Sequence, residues 1–359
     1  FWLIKILIKK IILQNNMSFE KIKKKIFVTG GAGFIGSDFI LKLSTLPNCQ
    51  ILNFDKISEQ SSPNFLKHLK KYELIKGNLE NQNSIDKALL KFKPNYIVHF
   101  AAESHVDRSI KFPDNFVKSN SLGTFNLLNS MLKMIRKRVI NKNTRLINIS
   151  TDEVYGSIRN LNKSFNEKSQ FDPSSVYSAS KLSGDMFVNS FVKTYNIKAQ
   201  TTHCSNNFGP RQFPEKLIPS TIYKFLNNIP ISVYGNGKNI RDWIYVKDHT
   251  NCIIKILSNK YIAGRFNIGA SCEINNIDII NKIRGILEKK FKIKSKSKIK
   301  FIKDRLGHDF RYSIDARKTQ KTFNWKPKHK FEISMEHTIK WYLDNKKWLN
   351  KLYLKKKKK

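Results

Sequence analysis

The segment "KIFVTGGAGFIGS", Lys25 to Ser37, constrains this chain more than any other stretch. An apolar run, Ile26 to Val28, meets Gly30, Gly33 and Gly36, and a helical pattern follows at once. Glycines at that spacing between strand and helix allow a tight turn, close approach of the backbone to a pyrophosphate, and close helix-to-strand packing. The helix N-terminus adds aligned N–H groups. Asp55 ends the next apolar run about 20 residues on, where a carboxylate accepts hydrogen bonds from adenosine ribose hydroxyls. That carboxylate repels a 2′-phosphate, so NAD is the expected cofactor, with Lys56 beside it as a second contact.

From Lys25 onward apolar runs alternate with helical spacing. "KIFVT", "QILNFD", "YELIKG", "YIVHFA", "RLINIS" and "AQTTHC" read as strands, and Phe34–Ser44, Ser84–Phe92, Asn115–Met134 and Tyr177–Thr194 as helices between them. Such alternation predicts an α/β fold: a Rossmann-like, doubly wound parallel sheet. Past Cys204 the rhythm breaks into Pro- and Gly-bearing loops, which implies a smaller C-terminal substrate-binding lobe. We therefore expect an NAD-binding domain over 25–205, with 239–258 returning to it, and a substrate lobe over 206–238 and 259–350.

At 359 residues the chain exceeds the roughly 250–300 at which one core stops growing, in keeping with two lobes. Its 67 Lys plus Arg against 27 Asp plus Glu give a net charge of +40. That lysine excess is spread along the chain with abundant Ile, Asn and Phe, the mark of a biased genome and not of a nucleic-acid patch. We expect no nucleic-acid and no membrane partner. Residues 351–359 read as a Lys-rich solvated tail. Residues 1–24 read as an upstream or disordered extension: Met17 opens a plausible start, and the apolar opening, broken by Lys5, Lys9 and Lys10, is too short to span a bilayer. Cys49, Cys204, Cys252 and Cys272 show no paired spacing, so no metal is implied and a reduced, cytoplasmic protein is expected.

"ISTDEVYG" follows the apolar run of the fifth expected strand, placing Thr151, Asp152 and Glu153 where open α/β sheets bind ligands. "YSASK" puts Tyr177 and Lys181 on one helix face. A tyrosine near pKa 10 is a poor base at neutral pH, but a lysine ammonium and an oxidised nicotinamide both favour the phenolate. After a dinucleotide fingerprint, the pair reads as a base that removes a hydroxyl proton while hydride leaves the same carbon.

These stretches, with "AAESHVDRSI", "SNNFGPRQFPEKLIP", "IRDWIYVKDH" and "RLGHDFRYSID", resemble the extended short-chain dehydrogenase/reductase family and, within it, the dTDP-glucose 4,6-dehydratases, from about Lys25 to Trp348. Sugar-nucleotide epimerases of that fold share the glycines and the Tyr/Lys pair but lack the acidic pair. The resemblance implies oxidation at carbon 4 by Tyr177 with Thr151 on the same oxygen, and removal of the carbon 5 proton by Glu153. Asp152 then protonates the departing 6-hydroxyl, and hydride returns to carbon 6. It further implies cofactor contacts from Phe34, Ile35, Asn78, Leu79, Ala101, Ala102, Ser104, Ser119 and Asn207. Substrate contacts fall to Ser104, Thr151, Asn206, Lys216, Leu217, Tyr234, Arg241, Asn276, Arg305 and His308, with the arginines on a diphosphate. It implies a homodimer joined through helices at about 115–135 and 177–194. Asn78 (for Asp), Ser119 (for Thr), Phe208 (for Tyr) and Leu306 (for Pro) depart from the family pattern without removing a reacting group. His99, His105 and His203 are read as structural.

Two other readings remain at this point: a 4,6-dehydratase of a UDP- or GDP-sugar, and a non-catalytic nucleic-acid-binding protein on a dehydrogenase fold. The second leaves Thr151, Asp152, Glu153, Tyr177 and Lys181 without a use.

Overall fold

The computed structural model describes residues 24–357; the expected extension over 1–23 lies outside them. Seven parallel strands form the central sheet. In chain order they are β1 (Lys24–Thr29), β2 (Cys49–Asp55), β3 (Tyr72–Lys76), β4 (Tyr96–His99), β5 (Arg145–Thr151), β6 (Lys198–Cys204) and, after three strands of the second lobe, β10 (Gly264–Ile268). Their spatial order is β10-β6-β5-β4-β1-β2-β3. Strand order reverses between β1 and β4, which opens a crevice at their carboxyl ends. The inner strands are buried on both sides because helices cover both faces; Arg145–Thr151 is buried at every position.

Helices α1 (Phe34–Ser44) and α6 (Val246–Ser258) cover one face, where Phe39, Ile40, Leu43, Ile253 and Ile256 pack on Val28 and Ile147. Helices α2 (Gln82–Phe92), α3 (Gly123–Arg136) and α4 (Val176–Tyr195) cover the other, joining Phe27, Leu52, Leu128 and Leu146. A capping box between Ser175 and Ser178 starts α4 and fixes its first turn, one residue before Tyr177. The helix expected over 115–134 is broken into a short helix (Pro113–Phe116), a π-helical turn (Val117–Leu122) and α3.

The second lobe has its own core, with Phe208, Ile222, Ile279, Ile283, Met335 and Ile339 buried together. It holds β7 (Asn206–Phe208), α5 (Leu217–Leu226), β8 (Ile231–Tyr234), β9 (Ile240–Tyr245), β11 (Glu273–Asn275), α7 (Asn276–Lys289) and β12 (Ile299–Ile302). Three boundaries depart from the sequence reading: β9, expected within 239–258 to return to the NAD-binding domain, pairs with β7 and β11 in this lobe. β10, assigned to this lobe, is the edge strand of the central sheet. Helix α8 (Arg317–Phe323) follows it there, its Phe323 ring 4.8 Å from that of Phe266. Nor is 351–357 a free tail: after α9 (Phe331–Asp344), helix α10 (Lys346–Lys357) runs through it, and Tyr353 stacks on Tyr223 with Leu352 also buried. Buried side chains offset the repulsion of the lysines that suggested a tail.

Phe266 is fully buried between β6 and α8. Phe266→Ala is expected to cost about 3–5 kcal/mol in urea unfolding; a loss below about 1 kcal/mol would show that β10 does not complete the nucleotide-side core.

Candidate active site

The glycine turn is built for close approach. Gly30 has φ +69°, and a Cβ there would sit 2.6 Å from the Ala101 backbone; one on Gly36 would sit 2.4 Å from the Gly30 carbonyl oxygen. Asp55, at the end of β2, accepts from Ala32 N at 2.9 Å, Ile57 N at 2.8 Å and the Ser61 hydroxyl at 3.2 Å. These bonds hold the carboxylate at the turn and leave little of its accepting capacity unused.

One cavity runs from this turn to the end of β5. Every residue assigned to the dinucleotide, from Gly30 to Asn207, lines it, as do Thr151, Asp152 and Glu153. It fits an extended dinucleotide: a glycine cradle that side chains would fill lies at one end, and the Asp152 Oδ2 and Asn206 Oδ1 atoms, buried without partners, lie at the other. A second cavity takes in every residue assigned to the substrate except Thr151. Ser58, Ser104, Glu153, Asn206, Asn207, Gln212, Glu215 and Lys216 line both.

Three of the assigned groups also hold partners within the protein. The Arg241 guanidinium, assigned to a diphosphate, donates to the carbonyls of Ile240 at 2.8 Å, Asp309 at 3.0 Å and Phe310 at 3.3 Å and lies over the Tyr312 ring. Lys56 pairs with Glu103 at 2.6 Å. Asn78 uses its carbonyl to accept the Glu80 N–H at 3.1 Å. For Lys56 and Arg241 the partner is distant in the sequence; for Asn78 it lies two residues on.

At the reacting end the Thr151 side chain accepts from Glu153 N at 3.3 Å, which fixes the turn after β5. Asp152 is 3% exposed. Burial, reinforced by the negative charges of Glu153 and Asp242 and only partly offset by Arg241 and a hydrogen bond with Thr151, raises its pKa well above the carboxylate range. These surroundings favour its neutral carboxyl over the carboxylate. Burial likewise raises Tyr177, Glu153 adds to the rise, and a hydrogen bond with Thr151 opposes it. Lys181 donates to the Ile149 carbonyl at 2.8 Å, and its own pKa is lowered by burial. The sequence reading had the lysine easing Tyr177 toward phenolate; in the fold, desolvation and the acids outweigh any such help.

His99 bridges Thr29 at 2.6 Å and Thr124 at 3.0 Å and, fully buried, has its pKa lowered to about 3. His203 joins Tyr155 and Asp185, and His105 lines the second cavity. Four residues without an assigned role also stand at the site. Asp107 accepts from the Tyr234 hydroxyl at 2.9 Å, Arg108 meets Glu215 at 3.0 Å, and Tyr312 donates to Asp309 at 2.7 Å and to Glu153 at 3.4 Å. All four lie inside "AAESHVDRSI", "PEKLIP" and "RYSID", so position in a dense motif was the available signal.

Raising a carboxyl pKa in the fold links stability to pH. The contribution of Asp152 is fully present below its unfolded value near 3.9 and is lost as pH rises through its folded pKa. Asp152→Asn removes that loss. The variant should melt higher than the native protein at pH 8, with a smaller gain at pH 5; equal gains at both would show that Asp152 is not held protonated.

The family model described as GDP-mannose 4,6 dehydratase matches residues 27–338. A probable dTDP-glucose 4,6-dehydratase of Sinorhizobium fredii is 40% identical, over 90% of this chain and 94% of that one. Among solved structures, a double mutant of the Streptomyces venezuelae dTDP-glucose 4,6-dehydratase with NAD and DAU bound superposes with a TM-score of 0.83 at 32% identity, covering 91% of this chain and 99% of that one. The Bacillus anthracis dTDP-glucose 4,6-dehydratase in complex with NAD gives 0.80 at 35%, covering 92% and 99%. A chain with this cavity, this acidic pair after β5 and these relatives belongs to the dTDP-glucose 4,6-dehydratase family.

Proposed function

We propose that the chain dehydrates dTDP-glucose to dTDP-4-keto-6-deoxyglucose with NAD as a cofactor that is regenerated in each cycle. The observation that carries this is Asp152, a buried acid whose surroundings favour its neutral form, next to Glu153 and in one cavity with Tyr177 and Thr151. Eliminating water across carbons 5 and 6 requires one base and one acid at neighbouring carbons. Two adjacent carboxyls can divide those roles when their surroundings separate their protonation.

NAD, when bound, supplies a two-electron acceptor whose positive ring also favours a nearby phenolate. Tyr177 then takes the 4-hydroxyl proton while Thr151 holds the same oxygen. The resulting ketone acidifies carbon 5, from which Glu153 takes the proton as Asp152 gives its own to the leaving 6-hydroxyl; Glu153 returns a proton to carbon 5 as the hydride removed from carbon 4 comes back to carbon 6, which balances the cycle. Lys181, Ala101, Ala102, Ser104, Ser119 and Asn207 wall the nicotinamide end. Gly30, Gly33, Phe34, Ile35 and Gly36 form the pyrophosphate turn, and Asp55, Asn78 and Leu79 the adenosine end. Ser104, Asn206, Lys216, Leu217, Tyr234, Arg241, Asn276, Arg305 and His308 hold the nucleotide sugar.

Offered dTDP-, UDP- and GDP-glucose separately, the purified protein should form a 4-keto product from the first; preference for another would move the specificity, not the chemistry. Tyr177→Phe should yield no 4-keto sugar. Glu153→Gln should give 4-keto sugar that keeps its 6-hydroxyl. Asp152→Asn should exchange the carbon 5 proton with solvent deuterium while elimination slows. Each step lost is expected to cost about 10²–10⁴ in rate, read by quenched-flow mass spectrometry. Native elimination rates in both acid variants would overturn the reading in favour of epimerase-like chemistry.

We also propose a homodimer, in the cytoplasm, without nucleic-acid or membrane partners. Exposed Phe112, Val117 and Leu122 lie on the segment before α3, and Val176 and Met186 on α4, which is apolar surface suited to a second copy. No helix among the described residues is long and apolar enough to cross a membrane. Sedimentation at physiological salt should show a dimer that Val117→Lys with Met186→Lys dissociates, with no shift on adding an oligonucleotide; a native monomer would remove the interface.

A further inference from the structure

Residues 56–62 stand between the two cavities. Lys56, Ser58, Gln60 and Ser61 line the first, while Ile57, Ser58 and Glu59 line the second. The segment is tied down from several elements at once. Lys56 pairs with Glu103 after β4 at 2.6 Å, and Ser62 N donates to the Ala32 carbonyl in the glycine turn at 2.8 Å. The Trp348 indole donates to the Ser62 hydroxyl at 3.3 Å from α10. Ile57 has φ +54°, a conformation that a β-branched residue holds only when its surroundings impose it.

The tie that matters most comes from the other lobe. Gln60 Nε2 donates to Glu215 Oε1 at 3.1 Å, and the other oxygen of Glu215 faces Arg108 at 3.0 Å. The Glu215 side chain is 2% exposed and lines both cavities; that of Arg108 is 34% exposed and lines the second. A guanidinium has five donors in a plane, so Arg108 can keep Glu215 on one edge and meet a phosphate on another.

We propose that residues 56–62 are a strap that retains the dinucleotide in the first cavity. In this proposal the strap is latched through Gln60–Glu215–Arg108, so that a nucleotide diphosphate in the second cavity slows loss of the cofactor. It rests on the assignment of the two cavities made above. An anion that orders Arg108 orders Glu215, and Glu215 holds the strap through Gln60. By linkage, whatever factor the diphosphate adds to the equilibrium affinity for the cofactor, the cofactor adds to that for the diphosphate. Gln60 is a positioning residue: it acts through the strap.

The test measures NAD loss from the full chain after dilution into a trap, with and without saturating dTDP, for native protein, Gln60→Ala and Gln60→Glu, the last opposing a charge to Glu215. Loss should be about tenfold faster in Gln60→Ala, the scale of one hydrogen bond to a buried carboxylate, and faster still in Gln60→Glu. dTDP should slow the loss severalfold in native protein and not in either variant, a difference that a mere packing defect would not produce. Equal rates in all three proteins, or dTDP protection that survives in both variants, overturns the strap while leaving the cofactor assignment standing. Native protein that yields no NAD on denaturation overturns that assignment, and the strap with it.

Discussion

The end of β5 is held by α4 through two side chains one turn apart. Asp185, 2% exposed, accepts from Asn148 at 2.8 Å, Ser150 at 2.7 Å and His203 at 3.0 Å. Lys181 donates to the Ile149 carbonyl at 2.8 Å. Residues 177, 181 and 185 share one helix face, so bolting the last two to β5 sets the Tyr177 ring against Thr151. The edge of that ring on Phe116, 6.3 Å between centroids, closes the other side. Thr151, Asp152 and Glu153 then follow directly from a strand that cannot shift.

This rigidity permits an electrostatic arrangement that is unfavourable to folding. Asp152, Tyr177 and Lys181 are all pushed toward their neutral forms by burial. Cys204 beside them is raised to about 12, so it remains a thiol and donates to the Ser150 carbonyl. Buried polar atoms such as Asp152 Oδ2 go without a hydrogen bond, which ordinarily costs about 1–3 kcal/mol. Strain of this kind survives only where the surrounding structure over-determines it, and the Asp185 network does so here.

Local chemistry that the sequence states outright was readable: glycines between strand and helix, Asp55 at a strand end, Tyr177 and Lys181 four apart. The first six strands and the four helices around them follow from apolar runs that alternate with helical spacing. What could not be read depends on long-range partners. β10 is five residues with a glycine and an arginine, and only β6 and α8 make it a strand of the main sheet. Lysines hid the packing of Leu352 and Tyr353. The fall or rise of the Tyr177 pKa turns on burial against charge, two opposed effects whose balance exists only in three dimensions.

The fold also separates the basic residues by the partners that hold them. Arg311 pairs with Glu273 and Arg211 with Asp38, so the charge of each of these buried arginines is matched by a carboxylate. Lys181, Lys216 and Arg241 instead rest on backbone carbonyls, those of Ile149, Ser104, and residues 240, 309 and 310. A carbonyl positions a cation without cancelling its charge. Burial lowers the pKa of all three, so their surroundings favour an added anion over an isolated cation. Cations fixed in this way need no reorganisation when an anion arrives. The carbonyl contacts of Arg241 therefore separate it from the paired arginines and keep it suited to a diphosphate, even though its hydrogen bonds first resemble those of a structural residue.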